Sequence, residues 1–463
     1  MPGRTQIRDP VHNFIELTEE EVRLIETPLL QRLRRIRQLA MASLVYPGAV
    51  HTRFEHTLGV CHVAGLMAKQ LDLPDDERRL VRLAALLHDV GHGPFSHVSE
   101  NVLLRFASAE SIPADHKKEK IHELITERLI CKDKDIARIV GADMASRIAR
   151  LLRMGHGPSV LRSIVSGPLD ADKQDYLLRD SQYCGVRYGI FDAHQLHRSM
   201  VKVGPEDDQE LMIDPDGVHA LEQFVLAKYF LTTNVYRHRV RLVSDQMIVR
   251  ALMLGVEVDE IKALQRLFSF DGSDEYLGRF IEYDDSRLMI EFGGARNSHA
   301  LCGRLLSALE QRNLHKRIFS SRIEDFSDPA VKKSLQDVST PDQAPLRASL
   351  ETAVAELVGR QTSADVDPRL VIVHGFDIKS VRTSSRNDEA SIMINRTPPK
   401  PFEEDSTLFA SINEGYADGF VEVYAPVSWD TAAERRRLLR ELEQPIREAI
   451  ETTTKSTLPQ GDA

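Results

Sequence analysis

The densest cluster of acid–base and metal-binding side chains is His88-Asp89-Val90-Gly91-His92-Gly93-Pro94-Phe95-Ser96-His97. An imidazole and a carboxylate one step apart at a helix end can both touch one ion, and that pair of donors suits a borderline divalent metal. Two donors do not complete a site, so others must come from elsewhere in the chain. His56, in Arg53-Phe54-Glu55-His56-Thr57-Leu58-Gly59-Val60, is one candidate. Asp172, in Asp170-Ala171-Asp172-Lys173-Gln174-Asp175-Tyr176-Leu177-Leu178-Arg179-Asp180, is the other. On a helix Asp172, Tyr176 and Asp180 fall four apart and share a face, so one turn can hold metal while the next turns meet a substrate. Taken singly, each residue has a plainer reading as a satisfied structural histidine, a helix cap or a solvated acid. The joint order His56, His88-Asp89, Asp172, with glycines at the helix ends, is what points to a site.

Such residues need rigid elements to hold them, and the hydrophobic pattern supplies helices. Residues 55–71, 77–90, 118–131, 143–153, 218–233 and 239–254 are amphipathic, and Gly91, Gly93 and Pro94 break the second of these. Ile7 to Leu17 reads as strand-turn-strand, and Thr18 with Glu21 has capping-box spacing. Thr27-Pro28 predicts an N-cap followed by proline at the first helical position. Beyond it Leu29, Leu33, Ile36 and Ala40 keep helical spacing, with Arg32, Arg34, Arg35 and Arg37 off that stripe. The expected fold class is mostly α, with a helical body over residues 1–330. Turn-rich sequence near 327–342 and strand-like runs at 370–373, 391–394 and 420–424 predict a smaller α+β C-terminal lobe over 331–450. A helix over 431–450 closes that lobe, and a disordered tail follows over 451–463.

Composition narrows the function. Of 463 residues, 42% are apolar and 28% charged, which describes a globular chain able to bury a real core. Lys plus Arg total 60 against 70 Asp plus Glu, a net charge of −10, which argues against a basic coat for duplex nucleic acid and leaves room for a local groove. Apolar stretches such as Leu83 to Leu87 are far short of the ~18 residues a membrane span needs. The start, Met1-Pro2-Gly3-Arg4, carries no secretory pattern, so a cytoplasmic location is expected. Cys61, Cys131, Cys184 and Cys302 lie far apart without a CxxC, which excludes a disulfide framework and a zinc ribbon.

Longer strings surround the candidate residues: Asp9-Pro10-Val11-His12, Tyr46-Pro47-Gly48-Ala49, Arg53 to Val60, His88 to His97 and Asp172-Lys173-Gln174-Asp175-Tyr176. In the order H…HD…D they resemble the HD superfamily of metal-dependent phosphohydrolases. Within it they resemble the deoxynucleoside triphosphate triphosphohydrolases, including the HD part of the vertebrate SAM-and-HD-domain enzyme. The resemblance is strong over residues 7–250 and traceable to 425. It implies an HD-domain body in which His56, His88, Asp89 and Asp172 hold a divalent metal (Mn, Mg, Fe, Zn or Ni). It implies that Arg53 and Lys173 meet phosphate, that Gln38 and Asp180 contact the 3′-hydroxyl, and that Tyr176 and Tyr236 crowd the sugar. The implied reaction cleaves between the 5′-oxygen and the α-phosphorus of deoxynucleoside triphosphates, dGTP among them, and releases tripolyphosphate. The leaving alkoxide calls for a proton, for which a histidine titrating near neutrality is the usual donor. His97 is the first candidate, with His92 and His122 as phosphate-contacting or relay partners.

The resemblance also implies a homo-oligomer and a guanine-nucleotide activator. Gln31 and Arg34 match part of an activator site, with Glu26 in place of an aspartate. Lys228 and Thr232 stand where the vertebrate enzyme has an arginine and a histidine, and lysine keeps the charge without the bidentate fork. Asp214-Pro215-Asp216 puts acids where a second activator site has basic residues. Two rival readings are an HD phosphohydrolase for another nucleotide phosphoester and a nucleotide-sensing or single-stranded nucleic-acid-binding module. Four metal ligands together with several acid–base histidines favour the enzyme.

Overall fold

The helix Glu19–Ile25 starts where the spacing predicts: the Thr18 hydroxyl accepts the Glu21 N–H at 3.2 Å, and the Glu21 carboxylate accepts the Thr18 N–H at 2.9 Å. Thr27 precedes the helix Pro28–Arg32 but caps nothing with its side chain, whose hydroxyl donates back to the Leu24 carbonyl at 2.7 Å. The expected helical run to Ala40 stops early. After a 3₁₀ turn over Leu33–Arg35 the backbone is extended at Ile36. Tertiary partners claim its polar groups: the Arg37 N–H donates to Asp285 at 2.9 Å, the Gln38 N–H to the His51 carbonyl at 3.1 Å, and the Ile36 carbonyl accepts from Arg53 N–H at 2.9 Å. A periodic apolar pattern cannot report such partners.

The computed structural model describes residues 5–113, 120–153, 159–205, 209–294, 297, 299–378, 392–412 and 418–457. It is mostly α-helical, with a small sheet-containing part. Among the described residues no helix is long and apolar enough to cross a membrane. The chain forms two compact units, and neither is a simple half of the sequence. One holds residues 1–238, 260–292 and 381–414; the other holds 239–259, 293–380 and 415–463. The expected boundary at residue 330 falls inside the segment 293–380 of the second unit.

In the first unit the helix Arg53–Gln70 packs against both Asp75–Leu87 and Ala171–Cys184. The strands Thr5–Asp9 and Asn13–Leu17 pair antiparallel, with Thr5 opposite Leu17 and Asp9 opposite Asn13. A second sheet joins Met200–Val203, Glu210–Ile213, Met393–Ile394 and Lys400–Pro401 in that order. The strand near 391–394, expected in the C-terminal lobe, thus belongs to this unit, beside Glu210–Ile213. Two glycines let the helices close on one another. A Cβ at Gly91 would meet the His122 carbonyl and the Thr126 nitrogen at 2.4 Å, and one at Gly59 would meet Asp175 Oδ1 at 1.8 Å.

The second unit has a three-stranded antiparallel sheet in the order Lys316–Arg322, Asp418–Ala425, Ile372–Ile378. Helices Ala344–Thr362 and Ala432–Thr457 bury Leu350, Val354, Leu442, Ile446 and Ile450 with Val373, Val421 and Val423 from the sheet. The last helix runs beyond residue 451, where the sequence predicts disorder, because Ile450 and Thr454 are both fully buried. Residues 458–463 of the expected tail, like 118–119 of an expected helix, lie outside the described residues. A cavity of about 300 Å³ in this unit is lined by Arg239, Arg312, His315, Lys316, Arg317 and Arg435 beside Trp429.

Candidate metal centre and adjoining cavity

His56 lies in the first turn of Arg53–Gln70, His88 caps the end of Asp75–Leu87, and Asp172 lies in the first turn of Ala171–Cys184. Their donor atoms gather within 4.8 Å of one another. His56 Nδ1 is 2.8 Å from an Asp175 oxygen and His88 Nδ1 is 2.7 Å from the Ala85 carbonyl. Both partners are acceptors, so each Nδ1 donates and each Nε2 is the position left for a cation. Both Nε2 atoms are buried and make no hydrogen bond. Asp172 Oδ1 is 2.9 Å from His56 Nε2 and 3.9 Å from His88 Nε2; Asp89 Oδ1 is 3.2 Å from His88 Nε2, and its Oδ2 is 3.7 Å from His56 Nε2. Ligands at about 2.1 Å from one small ion stand roughly 3–4 Å apart, so this donor set fits a divalent metal. Burial opposes charge on His56, yet the carboxylates of Asp172 and Asp175, one beside each ring nitrogen, push its imidazole up to about 10. A proton and a metal ion compete for that position.

Asp89 differs from the other donors, because its Oδ2 also accepts a hydrogen bond from Arg53 Nη1. Burial works against its charge, but Arg53, followed by His88 and His92, holds it well below the usual carboxylate range. Arg53 is itself buried and donates from Nε to Ser96 Oγ at 2.7 Å. Phe95 and Ser96 both have left-handed backbones, with φ of 61° and 59°. That conformation costs non-glycine residues and persists only where partners enforce it. Asp285 supplies one such partner, accepting the Phe95 N–H at 2.6 Å.

A cavity of about 480 Å³ opens beside these residues, bordered by Gln38, Arg53, His88, Asp89, His97, His122, Asp172, Lys173 and Tyr176. His92, His97 and His122 meet on its wall: the His92 ring stacks on His122 at 4.1 Å and meets His97 edge-on at 4.7 Å. Glu100 holds His122 Nδ1 at 2.9 Å. His97 was expected to titrate near neutrality. Burial first, and Arg53 next, push His92 well below the ordinary imidazole range, and Arg53 pushes His97, which is itself exposed, in the same direction. Lys173 keeps its charge through Asp170, to which Nζ donates at 2.7 Å.

Gln38 also borders the cavity, with Oε1 buried and without a hydrogen bond. The Tyr176 ring meets Tyr236 edge-on at 6.2 Å. Asp180 and Tyr236 are not among the residues bordering the cavity. Tyr236 Oη donates to Asp180 Oδ2 at 2.6 Å and His51 Nε2 to Asp180 Oδ1 at 2.7 Å, so both carboxylate oxygens already serve protein partners. Tyr236 ends a π-helical turn over Thr232–Tyr236, and Arg237 and His238 follow it before the next helix starts at Arg239. Arg34 Nε donates to Gln31 Oε1 at 2.9 Å, so the two candidate activator residues are adjacent.

A family described as the HD domain matches residues 53–180, and one described as the HD-associated region matches residues 191–429. The chain belongs to the HD-domain family. Its members are phosphohydrolases that bind divalent metals. This HD-domain chain is 29% identical over 326 residues to the uncharacterised protein YwfO of Bacillus subtilis, covering 67% of this chain and 70% of that one. It is 34% identical over 292 residues to the human deoxynucleoside triphosphate triphosphohydrolase SAMHD1, covering 55% of this chain and 45% of that enzyme. It thus spans less than half the length of the human relative. A solved phosphohydrolase from Bacteroides thetaiotaomicron shares the fold at a TM-score of 0.67 and 24% identity, covering 91% of this chain and all of that one.

The sequence pattern assigned no role to several residues that support the site. Asp175, His12, His51, Glu100 and Asp285 each hold a residue that borders the cavity or its support. Asp175 and His12 lay inside the strings that carried the family resemblance, and that was the one signal available. Glu100 and Asp285 had none.

Proposed function

We propose that this chain hydrolyses deoxynucleoside triphosphates, dGTP among them, to deoxynucleoside and tripolyphosphate. The observation that carries the reading is the meeting of the Nε2 atoms of His56 and His88 with Asp172 beside a cavity that Arg53, Lys173 and the unpartnered amide oxygen of Gln38 also border. His56, His88, Asp89 and Asp172 would hold the metal, which when bound lowers the pKa of water and polarises a phosphoryl oxygen. Lys173 and Arg53 offset the charge of the triphosphate, which otherwise repels an attacking oxygen. Water forms the new bond to the α-phosphorus, the bond from phosphorus to the 5′-oxygen breaks, and a proton ends on that oxygen. His97 faces the cavity with Arg53 near; an arriving polyanion offsets Arg53 and lets His97 carry that proton, with His92 and His122 behind it. Tyr176, backed by Tyr236, closes on the sugar, and Gln38 accepts from the 3′-hydroxyl. Asp180 acts by fixing Tyr236 and His51 rather than by touching the sugar. The working form in this reading is a cytoplasmic homo-oligomer that a guanine nucleotide activates through the surface at Gln31 and Arg34.

The test is product analysis with mixed deoxynucleoside triphosphates, ribonucleotides, nucleoside monophosphates and cyclic nucleotides, with added Mn or Mg. Deoxynucleoside and tripolyphosphate in equal amounts support the reading. Turnover confined to monophosphates or cyclic nucleotides, or binding of nucleotide or single-stranded nucleic acid without turnover, overturns it.

A further inference from the structure

Beneath the candidate metal centre lies a buried charged network that none of the roles above uses. Asp175 is fully buried, and each of its oxygens serves two donors. Oδ2 accepts from His56 Nδ1 at 2.8 Å and Arg179 Nε at 2.8 Å. Oδ1 accepts from His12 Nε2 at 2.6 Å and Arg179 Nη2 at 2.9 Å. Arg179, also fully buried, reaches on to Asp9 Oδ2 at 2.9 Å. Asp9 in turn shapes the hairpin turn with its other oxygen, accepting the Val11 and His12 N–H groups at 2.9 and 2.8 Å.

Burying two carboxylates and a guanidinium is costly, and for stability alone apolar side chains of similar volume often serve as well. The packing nonetheless makes room for them. Gly59, one helical turn after His56, leaves a notch in the helix, and a Cβ there would strike Asp175 Oδ1 at 1.8 Å and Arg179 Nη2 at 2.4 Å. A carboxylate behind a ligating imidazole fixes the ring and its tautomer and raises the basicity of the far nitrogen.

We propose that Asp175 is the positioning residue that aims His56 Nε2 at the metal, and that His12 makes the N-terminal hairpin Thr5–Leu17 part of that support. This rests on His56 being a metal ligand. The hairpin lies more than a hundred residues from Asp175 in sequence, and its charged side-chain links toward the centre run through this carboxylate and Arg179. The alternative role, a structural ion pair, would leave metal affinity unmoved in any variant that folds.

The experiment titrates the full chain, freed of metal by chelation, with Co²⁺ and follows its visible absorption, with far-UV circular dichroism as the check on folding. Asp175→Ala should weaken Co²⁺ binding by about 10–100-fold, the usual loss when such a support is removed. Asp175→Asn keeps an oxygen that accepts from His56 and should restore most of that loss. His12→Phe removes a donor to Asp175 and should weaken binding and shift the bands, whereas His12→Gln, which can still donate, should not. If Asp175→Ala does not fold, the two His12 variants carry the test. Wild-type affinity and bands in Asp175→Ala or His12→Phe overturn the proposal, as does Asp175→Asn binding no better than Asp175→Ala. His88→Ala is the control for the underlying reading: if it keeps wild-type Co²⁺ binding, the metal assignment has failed rather than the role of Asp175.

Discussion

Gln38 allows a substitution whose effects on stability and on turnover should have opposite signs. Its Oε1 is buried without a partner, while its backbone N–H is bonded to the His51 carbonyl at 3.1 Å and its side chain borders the cavity. An unpartnered buried acceptor costs a folded protein about 1–3 kcal/mol, because water served it in the unfolded chain. Gln38→Met keeps the length and most of the volume and removes that acceptor, so the unliganded protein should gain up to about that amount. At roughly 2–4 °C per kcal/mol for a unit of this size, the midpoint of thermal unfolding should rise by several degrees. A substrate hydroxyl that donates to Oε1 loses its partner in the variant. The same 1–3 kcal/mol then lowers kcat/KM about 5–150-fold for dGTP and leaves 2′,3′-dideoxyGTP nearly unchanged. The assay compares both substrates in both proteins, alongside thermal unfolding without ligand. A variant less stable than wild type, or one that keeps the wild-type preference for dGTP over the dideoxy substrate, refutes the reasoning.

His88→Ala and Asp172→Ala should each lose bound metal and hydrolysis together while keeping the far-UV spectrum of the wild type; metal analysis after gel filtration checks this, and a folded variant that turns over dGTP at the wild-type rate refutes it. Tyr176→Ala should raise kcat/KM for GTP relative to dGTP by opening the space beside C2′ that the paired rings of Tyr176 and Tyr236 close, whereas an unchanged ratio removes Tyr176 from sugar selection. Burial, together with neighbouring charges, pulls the imidazoles of His62, His197 and His315 down to about 4, against an unfolded value of about 6.5. The folded chain therefore holds these groups neutral, so their contribution is fully present above pH ~6.5 and lost as pH falls toward 4. Urea midpoints measured across that range should decline on the acid side, and a midpoint that rises on acidification contradicts the assignment.

What the sequence disclosed and what it hid divide along one physical line. His88 and Asp89 are adjacent, His56 opens a helix expected over 55–71, and Asp172, Lys173 and Tyr176 share one helix, so local spacing carries most of the candidate centre. The residues that hold these ligands have partners far away in sequence. Asp285 accepts N–H groups from Phe95 and Arg37, which are 190 and 248 positions away, and no spacing rule connects them. The same bonds explain the misread helix: Leu29, Leu33, Ile36 and Ala40 keep helical periodicity, but Asp285, His51 and Arg53 take the backbone groups that a helix would use. The strand Met393–Ile394 falls within the predicted run at 391–394, but its place in the fold is not legible there, because its partner Glu210–Ile213 lies far upstream. Asp180 shows the limit of reading a helical face. It sits where the four-residue spacing puts it, yet His51 and Tyr236 occupy both of its oxygens.

The charges under the centre explain why a chain would tolerate so many buried ionic groups. Asp9, Asp89, Asp172 and Asp175 crowd into one region, with Arg53 and Arg179 as their guanidinium partners. Four carboxylates against two guanidiniums leave 4 − 2 = 2 negative charges, and Lys173 does not change this because Asp170 cancels it. A protonated His56 offsets one of the two; a divalent ion offsets both. Repulsion among these acids is therefore least when the position between His56, His88 and Asp172 holds a divalent cation. The arginines do more than neutralise. Arg53 spans Asp89 and Ser96, and Arg179 spans Asp175 and Asp9, so each fixes two segments that meet at the centre. Had either been an apolar residue, the acids would be left with more charge than one divalent ion removes, and the loop carrying His97 or the hairpin carrying His12 would lose its anchor. The buried arginines thus set both the charge and the shape of the centre, and a divalent cation held there would offset the negative charge the acids keep.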